Sequence, residues 1–142
     1  PQKSRSMKSI FNIAIAVVAG AFIGGLVNLG IIELGPSVIP LPEGADVSTM
    51  EGLRESMKTF GVGNLIPPVL AHALGTLAGA FVAAKLARQH KMRVALAIGF
   101  FFLLGGISAV VMLGGPVWFM AADLLLAYIP MGYLGGKLAG AK

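Results

Sequence analysis

Apolar and polar positions in this chain are sorted into long blocks instead of alternating. No charge occurs from Ile10 to Ile32, a second apolar run from about Leu65 to Ala87 carries only Lys85, and a third from Val94 to Leu113 carries none. A fourth, from about Val117 to Leu138, holds Asp123 and Lys137. At ~1.5 Å per helical residue each run reaches across a hydrocarbon layer of ~30 Å. The pattern predicts an all-α integral membrane protein, a four-transmembrane-helix bundle forming one domain over residues 1–142, with spans at about 10–32, 65–87, 94–113 and 117–138.

Between the first two runs the pattern changes character. Gly35-Pro36, then Pro40 and Pro42, predict an end to the first helix and an irregular segment, because proline removes a backbone donor and fixes its own φ. Ser48-Thr49-Met50-Glu51 fits a capping box with Ser48 and Glu51 as its partners. Met50, Leu53, Met57 and Phe60 then recur at three or four, so a short amphipathic helix is expected over about 48–60, on the membrane surface or capping the bundle. Gly61 and Gly63 allow the turn into the second span, with Pro67 and Pro68 expected in its first turn. Gly114-Gly115-Pro116 predicts a tight turn before the fourth span, where Trp118 suits an interface and Pro130 should kink the helix and free the carbonyl of Leu126, with the Tyr128 hydroxyl beside it.

Small residues recur every fourth position on three spans. Ala16, Gly20, Gly24 and Asn28 mark the first; Ala71, Gly75, Gly79, Ala83 and Ala87 the second; Gly132, Gly136 and Gly140 the fourth. Such stripes let helix backbones approach within a bundle or between protomers, so Gly20, Gly24, Gly75, Gly79, Gly132 and Gly136 are expected at packing contacts and a homo-oligomer or a partner membrane protein is anticipated. Phe22-Ile23-Gly24-Gly25-Leu26 also resembles Leu103-Leu104-Gly105-Gly106-Ile107, and the Gly75–Gly79 stretch resembles Gly132–Gly136. These matches suggest two tandem helical hairpins.

Composition strengthens the membrane reading: 56% of residues are hydrophobic and 12% charged, with a mean hydropathy of +0.86. The absence of cysteine removes disulfides and thiolate chemistry. A net charge of +5 could suggest nucleic acid, but its distribution follows membrane topology instead. Lys3, Arg5, Lys8, Lys85, Arg88, Lys91, Arg93, Lys137 and Lys142 fall on one side of the spans, against Arg54 and Lys58 on the other. The positive-inside rule then puts both termini in the cytoplasm of a bacterial inner membrane, with membrane lipids as partners and the long first loop outside. The loop Lys85–Arg93 serves as a topology determinant and suits anionic lipid, His90 being part of that basic surface. The first apolar run exceeds a signal-peptide core and is read as a retained helix, with Met7-Lys8 fitting a natural start.

Chemistry is sparse. Counted from the outer ends of the spans at ~1.5 Å per residue, Asn28 lies about 6 Å deep, Ser108 and Asp123 about 8 Å and His72 about 10 Å. Glu33 sits at the lip above this layer and Thr76 one turn below His72. Two readings stay open for the cluster Asn28, Glu33, His72, Thr76, Ser108 and Asp123. It is polar glue hydrogen-bonding across helices, or a proton, ion or ligand site, since ionisable groups inside a membrane are costly and usually functional. No metal-ligand spacing, cofactor motif or catalytic signature is present, so no metal, cofactor or enzymatic activity is expected. The leading functional expectation is a non-enzymatic accessory subunit that binds partner helices or lipid. The alternative is a small proton- or cation-coupled transporter or channel subunit.

Overall fold

The computed structural model describes residues 1–142 and contains six helices and no strand. In chain order these are α1 (Gln2–Val38), α2 (Met50–Met57), α3 (Val62–Leu86), α4 (Lys91–Leu113), α5 (Val117–Leu126) and α6 (Ile129–Leu138). With α5 and α6 taken as one interrupted run, 4 helices are long and apolar enough to cross a membrane.

Helix α1 is longer than the apolar run that defines it. It begins at Gln2 and passes through Gly35-Pro36 to Val38, where an end was expected. Proline so near a helix terminus costs little, because only the bond to Ile32 is lost, and the last turn still closes with Ile39 N–H donating to the Gly35 carbonyl at 2.9 Å. Thirty-seven residues span about 55 Å, well beyond a ~30 Å core. The excess projects past the end of α3 as an exposed helical segment carrying Lys3, Arg5 and Lys8.

The register of α1 against α3 is fixed at three heights. Near the basic end, the Asn12 amide donates to the Leu86 carbonyl at 3.1 Å while its oxygen accepts from Arg88 N–H at 2.9 Å. One side chain of α1 thus satisfies backbone groups at the C-terminus of α3, where helix carbonyls lack intrahelical partners. In the middle, the glycine stripes meet. A Cβ built on Gly20 would lie 2.5 Å from the Gly79 carbonyl oxygen, and one on Gly24 2.6 Å from that of Gly75. At the other end, Gly35 lies against Pro67.

Helix α3 is central, with α1 on one flank and α4 and α6 on the others. Two of the three glycines of the fourth stripe are consumed within the chain, Gly132 facing Gly99 and Ala95 of α4 and Gly136 facing Ala95 and Met92, while Gly135 lies on Leu77 and Ala80 of α3 and Gly140 falls beyond α6 with nothing near it. Around these contacts Ala16, Ala80, Ala83, Ala84, Ala95 and Ile98 form a closed core toward the basic end. Its side chains are small, so the contact is largely backbone against backbone. The segments that match in sequence make different contacts: Gly24 meets Gly75, whereas Gly105 faces open space and Gly132 pairs with Gly99.

The remaining boundaries shift for local reasons. Helix α3 starts at Val62, with the Asn64 side chain accepting from Gly61 N–H at 3.0 Å and donating to the Pro40 carbonyl at 2.9 Å. Pro67 and Pro68 consequently fall in the second turn and not the first. Helix α4 starts at Lys91, after a left-handed turn at His90 with φ 54°, so Lys91 and Arg93 belong to its first turn.

Helix α2 is shorter than expected and is capped by a different residue. The Thr49 hydroxyl accepts from Gly52 N–H at 2.9 Å, while Ser48 turns back to the Asp46 carboxylate, donating through its hydroxyl at 2.6 Å and its amide at 2.9 Å. Adjacent hydroxyls compete for one capping position, and an aspartate two residues earlier draws Ser48 away. The Ser56 hydroxyl, accepting from Asp46 N–H at 2.8 Å, ties loop to helix. Leu53, Met57 and Phe60 point over the bundle end and line a cavity beneath, so α2 caps the bundle.

Two carboxylates in this cap are held below their usual range, Asp46 by the Ser48 hydroxyl and amide and Glu55 chiefly by its hydrogen bond to Lys58. A depressed folded-state value stabilises the cap above the ordinary carboxylate range, and the gain is lost as pH falls through the folded values. The exchange protection of amides in α2 and the Asp46–Ser48 turn, taken relative to intrinsic rates, is expected to fall as pH drops below the ordinary carboxylate range while that of α3 stays unchanged.

Candidate functional site

The fourth apolar run supplies the geometry of the site by breaking. Helix α5 ends at Leu126 and α6 starts at Ile129, with Tyr128 between them at φ −115° and ψ −77°. Pro130 is the second residue of α6, where a missing N–H leaves no intrahelical partner unmet. The expected kink at Pro130 is therefore a full interruption two residues earlier. It carries the Tyr128 ring inward, and that residue is 2% exposed.

Three side chains meet there. His72 Nδ1 of α3 lies 2.6 Å from Asp123 Oδ1 of α5, and the Tyr128 hydroxyl donates to Asp123 Oδ2 at 2.9 Å. Both carboxylate oxygens of Asp123, itself 2% exposed, are thus engaged. The His72 and Tyr128 rings stack with centroids 5.8 Å apart and planes 26° from parallel. Beneath them the Thr76 hydroxyl, buried in α3, donates to the His72 carbonyl at 2.7 Å. That bond is local to the helix and positions the turn without touching Asp123.

Of the six polar residues of the expected cluster, His72 and Asp123 pair, and Thr76 lies one turn below His72 on α3. Asn28 and Glu33 border the same region without bonding to the pair. Ser108 does not join. It is exposed on the outer face of α4 and returns its hydroxyl to the Leu104 carbonyl at 3.0 Å. Depth along a helix fixes height but not direction, and Ser108 has the right height on the wrong face.

Two cavities flank the triad. The larger, of about 320 Å³, lies under α2 and is lined mainly by apolar residues, with Glu33 at its rim and His72 and Asp123 at its base. The smaller, of about 220 Å³, is bordered by Asn28, Gly75, Thr76, Phe102, Tyr128 and again His72. His72 belongs to both walls, and its side chain keeps 25% exposure against 3% for Asp123.

Compared with protein families, curated proteins and solved structures, the chain matches none.

What the arrangement can do follows from its own chemistry. With Asp123 ionised, Nδ1 of His72 carries the proton donated to it, which leaves Nε2 directed to the cavity side as an acceptor when the ring is neutral and a donor when it is protonated. The imidazole is the group in the triad able to exchange a proton with a cavity while remaining bonded to the carboxylate. No cluster of three or more potential ligands suited to a metal ion is present.

Gly106, which the sequence marks only within the Leu103–Ile107 match, also shapes the site. A Cβ there would sit 2.5 Å from the Tyr128 hydroxyl and 2.6 Å from its ring carbons, so glycine makes the slot that Tyr128 occupies. Gly106→Ala is expected to displace Tyr128, lengthen its bond to Asp123 and loosen the α5–α6 break, read as faster exchange of the Ala127–Met131 amides. Gly105→Ala, with nothing within 4 Å of the added Cβ, should leave them unchanged.

Proposed function

We propose that the chain is a small proton-coupled membrane carrier, inserted with its basic end in the cytoplasm and its α2 end outside, and that the His72–Asp123–Tyr128 triad is its proton-binding element. The observation that carries this reading is the position of His72, hydrogen-bonded to Asp123 while forming a wall of both cavities. Polar glue has no need of such space. A closed cross-helix contact of the accessory-subunit kind would be packed on every side.

Three features support the reading. Only 28 of 142 residues are buried, so the apolar girdle that includes Val18, Phe22, Leu29, Phe101 and Leu125 requires lipid or other protein to cover it. The larger cavity lies on the α2 side of the triad and the smaller one beside it, at the level of Gly75 and Thr76, whereas the alanine-rich core closes the basic end. One-sided access to a polar site next to a broken helix is the arrangement expected of a carrier caught facing one way. The groups that face His72 are Asp123 from α5, Tyr128 from the break and Glu33 across the larger cavity, and neither cavity is lined by lysine or arginine.

The natural absence of cysteine makes a clean test available. A single Ile98→Cys, placed in the closed core, is expected to react with a water-soluble maleimide at a rate that changes several-fold between acidic and neutral pH, with Asp123→Asn removing that dependence. Labelling that is independent of pH and identical in both backgrounds would overturn the carrier reading.

A further inference from the structure

We infer that the larger cavity binds an amphiphilic organic cation, a quaternary or delocalised ammonium-type group attached to an apolar body. The inference deepens the carrier reading and rests on it for the location of the site. Its chemistry comes from the cavity wall.

Charge comes first. The ionisable side chains lining the cavity are Glu33, His72 and Asp123. Glu33 forms no ion pair, Asp123 is bonded to His72, and neither basic residue of the overlying cap lines the cavity, Lys58 being paired with Glu55 at 2.7 Å. With His72 neutral the wall carries two carboxylates, and with His72 protonated one negative charge remains. An anionic ligand would meet uncompensated repulsion in either state.

Shape and softness come next. The wall is dominated by aliphatic, aromatic and thioether groups, among them Leu53, Met57, Phe60, Leu65 and Phe119. Aromatic faces and polarisable sulfur suit a poorly hydrated cation with its charge spread over carbon. A small inorganic cation needs several oxygen ligands in place of its water, and this wall does not provide them. At about 320 Å³ the cavity is at the small end of the range for organic ligands, roughly 300–1,000 Å³. Asn64, the other polar side chain of the wall, is already committed to Gly61 and Pro40.

Competition with protons then follows. A proton on His72 compensates Asp123 and leaves Glu33 as the single net negative group, so ligand and proton oppose each other across the pair.

Trp118 provides the readout. It is the single tryptophan of the chain, and its ring stands edge-on to Phe119, centroids 6.1 Å apart, with Phe119 lining the cavity. Purified protein in detergent would be titrated with benzyltrimethylammonium, with its uncharged isostere neopentylbenzene and with phenylacetate. The cation is expected to perturb Trp118 fluorescence at least tenfold more tightly than either comparator, and to weaken as pH is lowered. Glu33 is exposed, so Glu33→Gln should fold normally and weaken the cation about threefold, the size of a partly solvated ion pair, with no effect on neopentylbenzene. Equal affinity for the cation and its isostere, no saturable change with any probe, or a Glu33→Gln variant that binds the cation as the wild type does would each overturn the inference. Preferred cation binding combined with pH-independent labelling of Ile98→Cys would sink the carrier reading and leave the ligand class standing; the reverse combination would do the opposite.

Discussion

Replacing Gly79 with leucine is expected to be the most damaging single change in this protein. The glycine lies at the closest approach of α1 and α3, where even a Cβ would be 2.7 Å from the Gly20 carbonyl oxygen and 3.3 Å from the Gly24 Cα. Both obstacles are helix backbone, which cannot rotate aside as a side chain can. A leucine forces the helices apart along the whole seam, exposing the facing glycines and breaking the Asn12 clamp at the basic end. The cost should reach at least about 3 kcal/mol, the upper end of overpacking penalties. It would be read as a lowered midpoint of unfolding in mixed micelles. Gly25→Ala is the matched control: on the facing helix α1, one residue from the seam, its added Cβ meets nothing within 4 Å. Helix propensity alone predicts that change to be neutral or stabilising by up to ~1 kcal/mol.

The second large effect is at Asp123. Asp123→Ala removes the acceptor shared by His72 and Tyr128. The Tyr128 hydroxyl is buried, and leaving such a donor without a partner costs roughly 1–3 kcal/mol, to which the lost cross-helix link adds. Asp123→Asn keeps an oxygen for one of the two partners and should lose about half as much stability, while ending the proton-dependent behaviour altogether. The contrast separates structure from function. If both variants lose stability equally and pH responses persist in either, the triad is a packing device.

These expectations draw on features that were unequally visible in the sequence. The four apolar runs and the glycine stripes of α1 and α3 were legible because a helix able to span a membrane needs a long uninterrupted apolar run, and close helix approach imposes small residues at a period of four. His72 and Asp123 lay at similar depths, which allowed their meeting without fixing it. Direction around the helix was not recoverable, since the third apolar run is apolar on all sides and offers no polar face to orient it. Ser108 is the result. Tyr128 was seen as a hydroxyl near a kink, yet its role depends on the break falling at residues 127–128, and proline fixes only that the helix is disturbed nearby. Gly106 gave no signal because one glycine among twenty is indistinguishable until the ring it accommodates is placed.

An apolar spacing of three and four predicted α2, but whether its apolar face meets lipid headgroups or the bundle depends on the path of the preceding loop. That path is set by bonds such as Asp46 to Ser56 and Asn64 to Pro40, which no periodicity records.

The central claim is that His72 holds Asp123 while facing a cavity, and water at the imidazole tests it most directly. Protein labelled with ¹⁵N-histidine and carrying His90→Ala leaves His72 as the one histidine signal, since the chain has 2 histidines. In detergent or nanodiscs, cross-peaks between water and the His72 ring protons are expected, and saturating benzyltrimethylammonium should diminish them. A well-resolved His72 ring with no transfer from water would mean a closed polar contact and would contradict the account.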